Sequence, residues 1–444
     1  MANPIISIIM PVHNTADYLP EALDSLLAQT FTQYELICVN DASTDESEAV
    51  LHRYQRERSW AYPMQIVVNK TAQGAARARN SGMSFAKGEY WIFLDSDDRF
   101  APRMLEKAYC ACREHQAEVA VFGVNHWYPG GEKWSLDHRA QQKLYLPEYP
   151  VLNQPKDYPL LPYIMEGTPW NKLVHRDVIQ RGHIRFQDIP NSNDVFYSYS
   201  VLLEADRAVF LDEILIDYRC QRPGNLSEGR TTRKSYMSYA LDACYGLAAK
   251  LQLHPQVRRV LLNSIIRRIY GNYDATPAGE IPGFLQELRE IFLPKWGVEA
   301  VTPDYFVTRN LYDFCQEVLA GRQPQPYFYT LLQCSGAVAK QYFAQWSSQG
   351  KRVALWGAGK FGQASLRFFA EQGIRLDAVI DTNKNKQGTT CDGYIVQGYE
   401  AVEDSIDLIL ITNSKWRSSI EKQTGAKKEI VDLMELLENL QVFA

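Results

Sequence analysis

Asp95-Ser96-Asp97-Asp98 gathers three carboxylates into four residues, and the five residues before it, Tyr90-Trp91-Ile92-Phe93-Leu94, are all aromatic or aliphatic. An uncharged run of that composition is typical of a strand buried on both faces. The sequence therefore predicts a strand that delivers acid to one edge of a sheet. Asp95 and Asp97, one residue apart, can offer hard oxygen ligands to Mg²⁺ or Mn²⁺, ions that usually complete their shells with water and substrate phosphate. That chemistry points to a nucleotide diphosphate. Acid-rich turns also occur as solvated strand ends that cap the next helix, so the surrounding elements have to decide.

Those elements alternate. Ile5–Met10 reads as a strand broken by Pro11-Val12-His13-Asn14, and a helix follows with Pro20 in its first turn. Tyr34–Val39 is a second strand, ending in Asn40-Asp41-Ala42-Ser43-Thr44-Asp45 ahead of a helix from Glu46 to Glu57. Met64–Asn69 is a third, and Gly74-Ala75-Ala76-Arg77-Ala78-Arg79-Asn80 opens a helix that reaches Ala86 before the strand Tyr90–Leu94. A helix over Phe100–Ala120, a strand near Val119–Val124 and a strand over Phe210–Ile216 come next. Strand and helix in turn predict a doubly wound α/β sheet, in which ligands sit beyond the carboxyl ends of the strands. Pro11 to Asn14, Asp41, Arg77 and Asp95 to Asp98 would all meet there.

The order Pro-Val-His-Asn, Val-Asn-Asp-Ala-Ser-Thr-Asp, Gly-Ala-Ala-Arg-Ala-Arg-Asn, Leu-Asp-Ser-Asp-Asp over residues 5–230 resembles the large inverting glycosyltransferase family 2, which has the GT-A fold. The resemblance implies that Pro11, Val12, Asn14 and Asp41 hold the base and ribose, that Arg77 lies near the nucleotide, and that Asp95, Ser96 and Asp97 meet ribose and metal. A carboxylate at Asp41 can accept the imide N–H of uracil, which favours UDP as the leaving group. The metal and Arg77 would offset charge on the departing diphosphate. Thr168-Pro169-Trp170-Asn171-Lys172-Leu173 is similar to the family's segment beside donor sugar and acceptor, which makes Trp170, Asn171 and Lys172 substrate residues. The family's Glu-Asp pair falls on Asn193-Asp194, with the first acid replaced by an amide, and implies that Asp194 is the general base. Asn191, Ser192 and Asn193 can orient that carboxylate without adding like charge. A helix N-cap is the bland reading of Asp194, and Asp188 is the reserve base. Arg222, in a loop resembling the family's Tyr-x-Arg…Gly-x-x-Ser segment, would close over the diphosphate.

Residues 232–346 read as a helical segment without alternating strands, with Arg258, Arg259, Arg267 and Arg268 giving one helix a basic face suited to solvent or to an anionic membrane surface. From Lys351 a strand leads into Gly357-Ala358-Gly359-Lys360-Phe361-Gly362, and Asp381 closes the next strand about 20 residues on, the grammar of a nucleotide-binding βαβ unit. Gly357, Gly359 and Gly362 are the candidate binding residues. A redox site, a bound nucleotide or sugar nucleotide, and a packing or assembly module all fit this region, and NAD(P) is the least favoured occupant because only 94 residues remain from Lys351.

The expected architecture is a GT-A domain over 1–231, a helical linker over 232–346 and a small Rossmann-like domain over 347–444 of the 444 residues. A net charge of −5 argues against nucleic acid as a partner, and eight scattered cysteines without a Cys-x-x-Cys pair argue against zinc and disulfide frameworks. No apolar run approaches the roughly 18 residues of a membrane span, and the N-terminus lacks the basic region of a signal peptide. The resemblance implies a UDP-sugar donor and a glycan or lipid-linked glycan acceptor, worked on in the cytoplasm or at the inner face of the cytoplasmic membrane. Peripheral membrane contact, a homo-oligomer and a non-catalytic nucleotide-sugar-binding module are further readings.

Overall fold

A computed structural model describes residues 3–127, 133–134, 146, 149–164, 167–220, 236–334, 336–412, 417–425 and 428–433. The chain divides into two compact units, Met1–Ile266 and Arg267–Ala444.

The first unit is built on β1 (Ile6–Val12), β2 (Tyr34–Asp41), β3 (Gln65–Asn69), β4 (Tyr90–Phe93), β5 (Arg99–Phe100), β6 (Val119–Trp127), β7 (Lys133–Trp134), β8 (Val151–Asn153), β9 (Lys172–His175) and β10 (Arg207–Arg219). Eight of these strands follow the order β3-β2-β1-β4-β9-β6-β10-β5, with β7 beside β6 and β8 beside β10. β1, β2, β3 and β4 pair in parallel, and β9 is inserted antiparallel between β4 and β6. Burial on both faces explains why the central strands are so uniformly apolar. Ile6, Ile8 and Met10 face a core with Leu23, Leu26, Leu51 and Leu105 from the helices Leu19–Leu27, Ser47–Glu57 and Met104–His115. Ile9 and Val39 point the other way, where the helix Ala75–Met83 is pressed onto the sheet: a Cβ at Gly82 would lie 2.5 Å from the Ile9 side chain.

The helix expected over Phe100–Ala120 is shorter. Arg99 and Phe100 pair with β10 instead, Ala101 donates its N–H to the Leu215 carbonyl, and Pro102 holds the residue before it extended, so the helix starts only at Met104. It ends at His115, where Gln116 turns left-handed. The acid turn Asp95–Asp98 thus carries the chain from β4, near the middle of the sheet, to β5 at its edge.

The middle of the chain is helical, including Met237–Lys250, Pro255–Ala275, Arg309–Leu319, Tyr327–Cys334 and Gly336–Ser348. Of the four arginines predicted to form a basic face, Arg259 is exposed while Arg258, Arg267 and Arg268 are half-buried. The second unit also holds a six-stranded sheet of β11 (Val353–Trp356), β12 (Ala378–Ile380), β13 (Thr390–Cys391), β14 (Tyr394–Gln397), β15 (Leu408–Ile411) and β16 (Glu429–Asp432), in the order β13-β14-β12-β11-β15-β16. All of its pairings are parallel except β13 with β14. Among the described residues no helix is long and apolar enough to cross a membrane.

Candidate active site

Three loops at the carboxyl ends of β1, β2 and β4 are stitched to one another by side chains. Asn14, left-handed at φ 51°, donates its N–H to Ser43 Oγ at 3.2 Å and accepts the Thr44 N–H at 2.8 Å. His13 Nδ1 donates to the Asp41 carbonyl at 2.8 Å, and the Thr15 N–H donates to Ser47 Oγ at 3.0 Å. Buried Ser96 shares a hydroxyl contact of 3.0 Å with Thr15, which joins the acid turn to the first loop. Pro11 and Val12 lie within β1, with Val12 fully buried.

Asp41 is buried and already supplied with donors. Its Oδ1 accepts the Asn69 amide at 2.8 Å and the Gln73 N–H at 3.0 Å, while Oδ2 accepts Gln73 N–H at 3.0 Å and Gly74 N–H at 2.7 Å. A carboxylate offers about four lone-pair sites, so this one anchors the turn that opens the helix Ala75–Met83.

That helix sends its two arginines to different places. Arg77 is exposed and pairs with Asp188 through Nε at 2.8 Å and through Nη2, and the guanidinium holds the Asp188 carboxyl below its usual range. The reserve base is therefore tied up at the surface. Arg79 is only 6% exposed. Its Nη2 donates to Asp95 Oδ1 at 2.6 Å and its Nη1 to Asn193 Oδ1 at 3.2 Å, and the guanidinium lies 5.2 Å from the centre of the Phe186 ring. Sequence reasoning passed over Arg79, yet a signal was present: Ala76, Arg79 and Met83 recur at helical spacing on the face that meets the sheet, and Arg77 does not.

Asp97 is nearly buried, and Asp98 is fully buried, with Oδ2 lacking a hydrogen-bond partner among the described residues. Burial first, then the neighbouring carboxylates of Asp97 and Asp95, push the Asp98 carboxyl well above its ordinary range. Arg219, at the end of β10, braces the turn: its N–H donates to Asp98 Oδ1 at 2.8 Å, its Nε to the Asp97 carbonyl at 2.8 Å, and its Nη2 pairs with Glu21. The Trp127 ring is flanked by the Arg99 and Arg219 guanidinium carbons at 3.5 and 3.9 Å.

Asp194 occupies the second position of the helix Asn193–Glu204 and is partly exposed. The N-cap is Ser192, held left-handed at φ 60°, so Asp194 does not occupy the capping position. A carboxylate in the first turn suits the positive end of the helix dipole.

Trp170, Asn171 and Lys172, expected beside donor sugar and acceptor, are buried. Trp170 stacks on Tyr218 with ring centres 5.4 Å apart. Asn171 donates to the Phe122 carbonyl at 3.3 Å, and Lys172 Nζ donates to the Thr168 carbonyl at 2.7 Å and to Asn171 Oδ1 at 2.8 Å. These contacts secure β9 within the sheet. Arg222 lies outside the described residues.

In the second unit Gly357 is at φ 115°. A Cβ on Gly362 would collide with the Gly357 carbonyl, so only glycine lets the helix Lys360–Glu371 start so close to the loop. Gly359 precedes that helix, and a Cβ there would come within 3.9 Å of the Lys386 ammonium. Asp381 accepts the Ala358 N–H at 2.9 Å, the Asn383 N–H at 2.8 Å and Lys386 Nζ at 3.1 Å. Burial raises its carboxyl, but these donors outweigh that effect and hold it below the ordinary range.

Residues 7–182 match the family described as Glycosyl transferase family 2. Residues 349–431 match one described as C2185-like, N-terminal. Among curated relatives, the uncharacterized glycosyltransferase EpsJ of Bacillus subtilis (strain 168) is 30% identical over 230 residues, covering 51% of this chain and 63% of EpsJ. Glycosyltransferase GlyG of Streptococcus pneumoniae serotype 4 is 28% identical, covering 50% of this chain and 72% of GlyG. A poly(ribitol-phosphate) beta-glucosyltransferase of Bacillus spizizenii is 39% identical over 118 residues, 26% of this chain but only 18% of its own length. The matches thus span from under a fifth to under three quarters of these relatives. S. aureus TarS 1-349 in complex with UDP-GlcNAc superposes with a TM-score of 0.56 at 19% identity, over 71% of this chain and 88% of that one. The first unit has the expected GT-A-like sheet, and a helical middle and a second, smaller sheet accompany it.

Proposed function

We propose that the chain is an inverting, metal-dependent glycosyltransferase that moves a hexose or N-acetylhexosamine from a UDP-sugar to a hydroxyl of a glycan or lipid-linked glycan, in bacterial surface polysaccharide synthesis. The observation that carries this reading is the link Asp95–Arg79–Asn193, which brings the acid turn together with the helix start that bears Asp194. Acids for the diphosphate side and a base for the acceptor side are thereby held one guanidinium apart. The glycosyltransferase names of the relatives support the reaction class, and the TarS complexes with UDP and UDP-GlcNAc support UDP as the leaving group. A relative that acts on poly(ribitol-phosphate) supports a polymer hydroxyl as acceptor.

Asp194 takes the proton from the attacking hydroxyl while the bond from sugar to diphosphate breaks on the opposite face, through an oxocarbenium-like state. The donor set fits Mn²⁺ or Mg²⁺: Asp97 and the Asp95 oxygen not engaged by Arg79 are the two carboxylates such ions commonly take, alongside substrate phosphate. The ion's contribution when bound is neutralisation of charge on the departing diphosphate. Asp41, with four contacts on its carboxylate, shapes the wall of the base pocket with Asn14 and Ser43. A lipid-linked acceptor would place the reaction at the inner face of the cytoplasmic membrane.

For the smaller sheet we propose a Rossmann-like module. Its strands run third, second, first, fourth, fifth in β14-β12-β11-β15-β16, with the glycine loop at the point where the order reverses. No step of the transfer is assigned to it.

The test is thermal stabilisation by UDP-, GDP- and TDP-sugars with Mn²⁺, followed by UDP release with an added acceptor. A UDP-sugar at 100 times its dissociation constant should stabilise the chain by roughly 2.7 kcal/mol. Failure of every UDP-sugar to do so refutes the donor. Binding without any UDP release leaves a nucleotide-sugar-binding module instead of an enzyme.

A further inference from the structure

Arg79 sits where a charged side chain is costly unless matched. It is buried beneath the acid turn, its Nε has no hydrogen-bond partner among the described residues, and the guanidinium is held by Nη1, Nη2 and the Phe186 ring. Phe186 stacks on Tyr197 at 4.3 Å, and Phe93, two residues before Asp95, meets both rings edge-on at 4.8 and 5.0 Å. Asn80, the next residue on the same helix, clamps the Phe186 backbone by donating to its carbonyl at 2.8 Å and accepting its N–H at 2.9 Å. The segment leading to Asp194 is therefore docked on the helix Ala75–Met83, and that helix is seated on β1 through Gly82.

We infer that Arg79 is a positioning residue: its single buried guanidinium ties Asp95, on the diphosphate side, to Asn193, beside Asp194, and so fixes the separation between the leaving-group and proton-accepting sides of the site. The inference rests on the function proposed above and deepens it. Asn193 is the second end of that link. A neutral amide at 193 accepts one N–H and leaves the positive charge to Asp95. Lysine at 79 would keep the charge but lose the planar fork that reaches both partners at once. Rate should therefore suffer much more than donor affinity, because a displacement of about 1 Å in a reacting group can cost on the order of 10² in rate.

The experiment measures kcat, the UDP dissociation constant with Mn²⁺ and the melting temperature for the full-length wild type, Arg79→Lys, Asn193→Ala, Asn193→Asp and the double variant Arg79→Lys/Asn193→Ala. Expected are a loss of about 10²-fold in kcat for Arg79→Lys and about tenfold for Asn193→Ala, with UDP affinity within about threefold of wild type. Both substitutions break one link, so the double variant should turn over no more than about twofold slower than Arg79→Lys. Asn193→Asp, which keeps an oxygen for Nη1, should recover most of what Asn193→Ala loses. Should Arg79→Lys fail to fold, the contrast between Asn193→Ala and Asn193→Asp tests the same link. Wild-type turnover by Asn193→Ala, or UDP affinity falling in step with kcat in Arg79→Lys, overturns the positioning role while the transferase reading stands. A wild type that transfers no sugar overturns both.

Discussion

At the end of β12, Asp381 meets two backbone N–H groups and the Lys386 ammonium, and its charge is matched by its own loop and the neighbouring glycine loop. Beyond β4 and around β5, the carboxylates of Asp95, Asp97, Asp98, Glu21 and Asp217 gather near the guanidiniums of Arg79, Arg99 and Arg219, and Asp98 sits well above its usual range because the burial and the neighbouring acids are not fully compensated. Both places are strand ends at the carboxyl edge of a mainly parallel sheet, the position where such folds bind ligands. What separates them is charge balance. A loop whose acid is satisfied by local donors has spent that acid on its own shape, while the proposed transferase would use the acids gathered at the other edge to stabilise a cation brought in with substrate.

The comparison breaks first on metal. Chelation with EDTA, or Asp97→Ala, should abolish sugar transfer while the melting of the Asp381 loop region, followed by hydrogen exchange, stays as in the untreated wild type. Full transfer in metal-free buffer removes the surplus-charge argument. Next in size, Asp194→Asn should lower turnover by on the order of 10²–10⁴ with UDP-sugar binding unchanged, because an amide keeps the shape but cannot take the proton. Turnover near wild type removes Asp194 from the mechanism.

Two smaller effects sharpen the other side. Gly362→Ala forces a methyl group onto the Gly357 carbonyl and should destabilise the second unit by about 1–3 kcal/mol, the usual range for overpacking, with the transfer rate per folded molecule unchanged. A denaturant melt monitored with kcat decides it. Smallest is a pH effect at Asp407, whose carboxyl is held down at about 2 chiefly by hydrogen bonds from the Arg352 side chain and N–H. Its folded value lies below the unfolded value of about 3.9, so the stabilisation is present above that pH and fades as pH falls toward 2. The pair is largely exposed, and the melting difference between wild type and Asp407→Asn should narrow only slightly between pH 5 and pH 2.5.

Much of the fold was legible because β1, β4 and the centre of β2 are apolar nearly throughout, and such a run has few alternatives to a buried strand. β9 was not. Lys172 and His175 interrupt its pattern, and the buried Lys172 side chain donates to Thr168 and Asn171 across the loop. The two-residue β5 carries no periodicity at all and exists because β10 is there to pair with it. At the site, the acids announced themselves by type, whereas Arg77 and Arg79 differ only in which way the helix turns them. Asp41 was legible as a strand-end acid, but its four contacts depend on Asn69, Gln73 and Gly74 arriving from the next strand and turn.

Arg219 reaches back 121 and 122 residues to brace Asp98 and Asp97. On a translating ribosome, β1 to β4 emerge and can pair long before the residue that completes the acid turn has been made. At 5–20 residues per second that interval is roughly 6–24 seconds. During it the nascent sheet holds a cluster of carboxylates without its clasp, so the site matures in the order of synthesis: scaffold first, chemistry last.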